Sequence, residues 1–185
     1  KNINDIHNLY EKKEIEISGL LSLKPSLYVC NVGEESISQG NKYTQRFIKK
    51  YGNKNTIIIS AEIENQLNSL SDQEKNNYME ILNIKEAGIK TLTQKGYNLL
   101  NLETFFTSGP EESRAWTINK NCLAPSAAGK IHSDFEKGFI KVETISYQDF
   151  IDNEGWLNSK NNGKMRLEGK EYIVKDGDVL NFRFN

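Results

Sequence analysis

The sequence predicts two units of different type: an α/β unit with parallel strands over about residues 21–100, and an α+β unit over 101–185. Three observations predict this. Two short apolar or β-branched runs, residues 27–30 and Thr56–Ile59, flank an amphipathic stretch within roughly 30 residues, the spacing of a βαβ unit. Beyond residue 101 helical spacing gives way to short runs separated by turn residues. One clear helix pattern remains there, over Ala124–Ile131, and a helix laid on a small mixed sheet is an α+β arrangement.

Each element has its own justification. Residues 27–30 follow Pro25 as a nearly continuous apolar run, which predicts a strand buried on both faces. Residues 31–40, with Gly33, Ser36, Ser38 and Gly40, have loop composition. Tyr43, Phe47, Ile48 and Tyr51 then recur on one helical face, and Gly52 stands where a helix C-terminus favours it. The run Thr56–Ile59 predicts the second strand, ending at Ser60-Ala61-Glu62. A capping box, Ser71 with Glu74, starts a helix that turns Tyr78, Ile81 and Leu82 inward. Another helix is expected over 87–100.

In the second half, residues 104–112 and 114–118 predict two strands joined by a loop. Pro125 sits near the start of the Ala124–Ile131 helix, where a missing N–H does no harm. FIKVETI and the closing EGKEYIVKDGDVLNFRF return to strand character, with Asp176-Gly177 as a turn. Residues 153–162, rich in Asn, Ser and Gly, predict an exposed loop.

Charge narrows the partners. Lys and Arg number 24 against 25 Asp and Glu, for a net charge of −1, and neither half departs from balance. Contact with RNA therefore has to rest on a local patch. Lys130, Lys137, Lys141 and Arg114 form one candidate, and Lys160, Lys164, Arg166 and Lys170 another, both interleaved with acids. Cys30 and Cys122 are far apart and carry no metal-ligand spacing, so Cys30 reads as a small buried thiol. With no apolar stretch near the ~20 residues a bilayer requires, and no basic-then-apolar leader, a cytoplasmic protein without membrane contact is expected. The opening residues look like the tail of a helix and lack an initiator Met, which predicts a piece of a longer protein.

The chemistry starts at the strand ends. In open parallel sheets ligands sit beyond the C-terminal ends of the strands, where Asn31 and Ser60 fall. An amide offers both donor and acceptor to a purine edge, whereas a carboxylate only accepts. The guanine-reading pattern is Asn-Lys-x-Asp; here it is Asn31-Val32-Gly33-Glu34, with an apolar residue for the Lys and a longer acid. Such a site is expected to lose a strict demand for guanine. Ser60-Ala61 matches the Ser-Ala pair that guanine-nucleotide folds place beside the base. No G-x-x-x-x-G-K-[ST] occurs: the Gly-Lys pairs at 129–130, 163–164 and 169–170 are followed by Ile, Met and Glu. His132 and Asp134 are spaced as a dyad but lack a nucleophile with a partner motif. A hydrogen-bonded structural His at a helix end is the reading favoured over an independent metabolic enzyme.

Taken together, LKPSLYVCNVGEE, IIISAEIENQL, GYNLLNLETFFTSGPEESRAWTI, APSAAGKIHSDFEKGFIKVE and EGKEYIVKDGDVLNFRFN strongly resemble the C-terminal half of the YchF / Obg-like ATPase family, from about residue 20 onward. The resemblance implies a translation-factor-class P-loop NTPase. Residues 1–20 would end a helical, coiled-coil insertion, 21–100 would be the second part of a GTPase-like nucleotide-binding domain, and 101–185 a ubiquitin-like β-grasp (TGS) domain. It implies a base site at Asn31, Val32, Glu34, Ser60 and Ala61, with ATP or GTP and Mg²⁺ used by the intact protein. A chain without the phosphate loop is expected to be inactive alone. The ribosome or RNA is the implied partner, and a TGS docking module without nucleotide-dependent activity is the alternative.

Overall fold

A computed structural model describes residue 21 and residues 24–185, so the expected end of a helical insertion at 1–20 lies outside the described residues. The chain divides into two compact units between Leu99 and Leu100.

In the first unit, β1 (Tyr28–Asn31) and β2 (Thr56–Ile59) pair in parallel, in register from Tyr28 with Thr56 to Asn31 with Ile59. The connecting helix α1 (Lys42–Tyr51) begins where Asn41 takes the N–H groups of Tyr43 and Thr44, with Thr44 bonding back to close a capping box. Its aromatic face reaches the sheet: Phe47 and Tyr51 each lie within 5.3 Å of the Tyr28 ring, centroid to centroid. Phe47 and Tyr51 of the predicted face thus pack on the strand, whereas Tyr43, at 66% exposure, lies outside that contact.

Helix α2 (Ala61–Asn68) follows β2 with only Ser60 between them. It was not expected from the sequence, although a Ser N-cap followed by Ile63 and Leu67, both buried and four residues apart, is a helix signature. Helix α3 (Asp72–Ile81) starts at the Ser71/Glu74 capping box as expected. Helix α4 (Gly88–Leu99) packs on β2. A Cβ at Gly88 would lie 2.7 Å from Ile59 Cγ2, so a glycine lets this helix start press against the end of β2.

The second unit is a five-stranded mixed sheet in the order β4-β3-β7-β5-β6. Strands β3 (Leu102–Ser108) and β4 (Ser113–Asn119) form an antiparallel hairpin. β3 pairs in parallel with β7 (Asp178–Phe184), which pairs antiparallel with β5 (Phe139–Ser146); β6 (Arg166–Glu168) closes the far edge. Helix α5 (Ala124–Ile131), with Pro125 in its first turn, buries Ala124, Ala127 and Ala128 against Phe105, Ile118, Val142, Leu180 and Phe182. Three alanines on one face let helix and sheet approach closely. Three short helices complete the unit: α6 (Ser133–Lys137), α7 (Tyr147–Asp152) and α8 (Trp156–Asn161).

Several expectations need correction. β1 is not buried on both faces: Val29 is 44% exposed, and burial alternates along the strand. Cys30 is accordingly half-buried rather than enclosed. Ile81 points outward at 79% exposure, since α3 ends there and the chain turns back through Leu82. Residues 153–162 are not a plain loop. Gly155, at φ 113°, opens α8, and Ser159 is fully buried with its Oγ donating to the Asp149 carbonyl. Finally, EGKEYIVKDGDVLNFRF is not strand throughout: strand resumes only at Asp178, after Gly177 turns the chain at φ 82° and donates its N–H to the Thr104 carbonyl.

Candidate nucleotide-base site

The two parallel strands end side by side, and their next residues meet. The Val32 N–H donates to the Ile59 carbonyl at 2.9 Å, carrying the ladder one step past β1. Asn31 is thereby held at the sheet rim with its side chain toward the start of α2. Its Oδ1 accepts the Ala61 N–H at 2.9 Å. Ala61 is the first residue of α2, whose N–H groups lack intrahelical partners. One of them is thus used to orient the amide, and the Asn31 Nδ2 group has no partner among the described residues.

Ser60 is buried to 1% exposure and serves as the α2 N-cap, its Oγ accepting from the Ile63 N–H at 3.5 Å. Its role is to anchor the turn that presents Ala61. Val32 is half-buried beside Asn31, and Glu34 is exposed in a single 3₁₀ turn, Glu34–Ser36. Of the five residues singled out in the sequence, the structure joins Asn31, Ser60 and Ala61 through this turn and a direct hydrogen bond. Val32 lies next to them in the chain, and Glu34 makes no contact with Asn31 or Ala61.

Support comes from residues the sequence did not single out. Glu64 Oε1 accepts the Gly88 N–H at 2.6 Å and Oε2 the Ile89 N–H at 3.3 Å, so α2 caps α4 from 24 residues away. No local sequence signal reports such a contact. Tyr78 on α3 donates its hydroxyl to Gln66 Oε1, and partial burial together with the Glu34 and Glu62 carboxylates pushes its phenol up. A cavity of about 530 Å³ lined by Leu27, Lys54, Asn55, Lys95, Asn98 and Leu99 lies at the starting ends of β1 and β2, opposite the rim that carries Asn31.

The remaining candidates resolve into structural roles. His132 Nδ1 accepts the Asp134 N–H at 3.2 Å and caps α6, with both side chains exposed. That is the structural histidine favoured over a dyad. In the second basic patch Lys164 pairs with Asp149 at 3.1 Å and Arg166 with Glu168 at 3.0 Å. The Asp149 carboxyl is held low by its bonds from Ser146 and Lys164. In the first patch Lys137 approaches Asp134 at 3.9 Å, while Arg114 lies over the Trp116 ring at 4.3 Å. Burial pushes the Cys122 thiol up, the opposite of activation.

Known proteins agree with the fold and extend it. The YchF-GTPase_C family model, described as "Protein of unknown function (DUF933)", matches residues 102–185. The chain is 45% identical over 177 residues to "Ribosome-binding ATPase YchF" of Escherichia coli O157:H7, covering 95% of this chain and 48% of that one. It is 43% identical over 186 residues to "Obg-like ATPase 1" of Rattus norvegicus, covering 95% and 46%. Among solved structures, the Schizosaccharomyces pombe YchF GTPase superposes with a TM-score of 0.76 at 34% identity, covering 94% of this chain and 48% of that one. The class is therefore a mixed α/β fold of the YchF GTPase type. The chain belongs to the YchF / Obg-like ATPase family, and it spans about half the length of the curated relatives it matches.

Proposed function

We propose that residues 21–100 supply the base-holding side of a purine-nucleotide pocket, and that the whole protein binds and hydrolyses ATP or GTP. The observation that carries this reading is the Asn31 amide at the end of β1, oriented by the Ala61 N–H. With Oδ1 engaged, the side chain offers Nδ2–H to an incoming ligand. The acceptor it meets on any purine is ring N7, which adenine and guanine share. Val32 supplies apolar surface beside the base plane, and Ser60 and Ala61 form the opposite lip. Glu34, whose longer acid replaces the Asp of the guanine-reading pattern, reads the far edge of the base.

The residues fit the base but not the phosphates. No phosphate-loop pattern occurs in the sequence, and no group of three His, Cys, Asp or Glu side chains could hold a metal ion among the described residues. Phosphoryl transfer rests on positioning and on charge stabilisation by such groups. We assign Mg²⁺ and phosphate contacts to the other half of the family's proteins, and this chain alone is expected to be catalytically silent. We assign residues 101–185 to a β-grasp TGS domain, a reading supported by α5 lying across the five-stranded mixed sheet with three shorter helices around it. They are the part we assign to ribosome docking, in line with the name of the Escherichia coli relative.

Turnover tests the first assignment. ATP hydrolysis by the 185-residue chain above background contradicts it. In a protein carrying the family's preceding half as well, Asn31→Ala is expected to weaken ATP binding about tenfold or more, in line with the ~1–3 kcal/mol lost when a buried polar group goes unpaired. Co-sedimentation with ribosomes, falling as salt rises, tests the second; no binding at low salt counts against it.

A further inference from the structure

The two edges of the five-stranded sheet are built differently. β6 is three residues long, with Arg166 and Glu168 paired to each other, which blunts that edge. β4 is seven residues long and in unbroken register with β3 from Asn119 to Ser113. It contains no Pro, Gly or Lys, and no bulge interrupts it. β3 is its one strand neighbour among the described residues. Native sheets commonly protect so long an edge, because its backbone groups template further pairing, and on β4 the one charged side chain is Arg114.

Hydrogen bonds at the ends of the hairpin show which groups face outward. The Gly109 N–H donates to the Glu112 carbonyl, and the Lys120 N–H to the Asn101 carbonyl. Bonded pairs alternate along an antiparallel ladder, so the pairs 107/114, 105/116 and 103/118 bond inward. Ser113, Ala115 and Asn119 consequently turn both N–H and C=O away from the sheet, and all three are exposed. This alternation of donors and acceptors matches another polypeptide strand. It does not suit a polyanion, which the carbonyls would repel.

The same strand carries an uncommitted charge. The Arg114 guanidinium stacks over Trp116 at 4.3 Å, and the indole is fixed by its N–H donating to Thr107 Oγ1 at 2.9 Å. The contact recorded for Arg114 is this ring, and no ion pair joins it to a carboxylate among the described residues. A planar group with five N–H donors, held on a fixed ring at an open edge, is complementary to a carboxylate arriving along that edge.

We propose that β4 is a docking edge for an extended segment of a partner protein, which adds to the sheet beside β4 and places an Asp or Glu side chain against Arg114. A second copy of this chain suits the edge less well. β4 contains no carboxylate, so self-pairing along its length leaves Arg114 unmatched. The proposal stands apart from the nucleotide site and does not depend on it.

The test uses the intact chain and displayed random 12-residue peptides as the probe. Selected binders are expected to be acidic and to protect the Ser113 and Ala115 amides from hydrogen exchange. Ala115→Pro removes an N–H that the sheet itself does not use, at an edge position where proline is tolerated, so the hairpin should persist by circular dichroism. It is expected to weaken binding about tenfold. Arg114→Glu is expected to reverse the preference, favouring Lys in place of the peptide's acid about fivefold, the scale of an exposed ion pair. The proposal is overturned by a selection without binders, by binders that protect other residues, or by unchanged affinity in folded Ala115→Pro. Concentration-dependent dimerisation through β4, or binding of an RNA oligonucleotide that Ala115→Pro leaves intact, overturns it equally.

Discussion

Replacing Asn31 separates the two jobs assigned to its amide. In Asn31→Ala the 2.9 Å bond from the Ala61 N–H is lost, together with any donor toward a base. A neutral backbone-to-side-chain bond contributes a net ~0.5–1.5 kcal/mol. Ala61 is exposed at a helix start, where water replaces part of that bond, so the lower half of the range applies. Asn31→Asp keeps an acceptor and adds a charge at the N-terminus of α2, worth ~0.3–1 kcal/mol, which Glu62 and Glu64 in the first turn of α2 oppose. Asn31→Ala is thus expected to lower the stability of the first unit by about 0.5–1 kcal/mol, and Asn31→Asp to stay within about 0.5 kcal/mol of the parent. Urea denaturation followed by tyrosine fluorescence measures both, and exchange of the Ala61 amide reports the bond directly. Equal destabilisation by Ala and Asp, or an Ala61 amide indifferent to both, would refute the proposed orientation.

Three further predictions concern the scaffold. Tyr172 donates its hydroxyl to the buried Asp178 carboxylate at 2.7 Å, and burial followed by that bond raises its pKa to about 12. A raised folded pKa gives stability that is complete below the unfolded value, about 10, and is lost as pH rises through the folded one. The second unit should weaken between about pH 10 and 12, and Tyr172→Phe should remove that part of the slope in alkaline melts. Thr144 Oγ1 is buried without a hydrogen-bond partner among the described residues, so Thr144→Val is expected to stabilise by about 1 kcal/mol in the same denaturation assay. A loss of stability would show that the hydroxyl is satisfied. Glu64→Ala removes both bonds to the start of α4 and is expected to cost ~1–2 kcal/mol, with faster exchange at the Gly88 and Ile89 amides.

What the sequence revealed followed the range of the interactions involved. α1 and α3 were legible because capping boxes and periodic apolar faces are local, and the hairpin because two strand-like runs follow one another, although the first was drawn over 104–112 whereas β3 ends at Ser108, ahead of Gly109-Pro110. α2 was hidden by its brevity and by the short step from β2 through Ser60, which made the pair Ser60-Ala61 look like a strand end only. α8 was hidden by composition: Asn and Ser are common in loops, yet Ser159 sits buried beneath α7. At the site, Asn31 and Ser60-Ala61 could be picked out by position. The bond that joins Asn31 to Ala61 spans 30 residues and belongs to the fold. For the same reason Glu64, which holds α4 across 24 residues, left no local trace.

The central claim, that the Asn31 amide donates to purine N7, is tested most directly by a cycle between ATP and 7-deaza-ATP. Affinities are measured for the protein carrying the family's preceding half, with Asn31 and with Asn31→Ala. The deaza analogue lacks the acceptor and should bind the parent about tenfold more weakly, whereas the Asn31→Ala variant should bind both nucleotides alike, a coupling on the order of 1 kcal/mol. An equal discrimination between the two nucleotides with and without the amide would contradict the account.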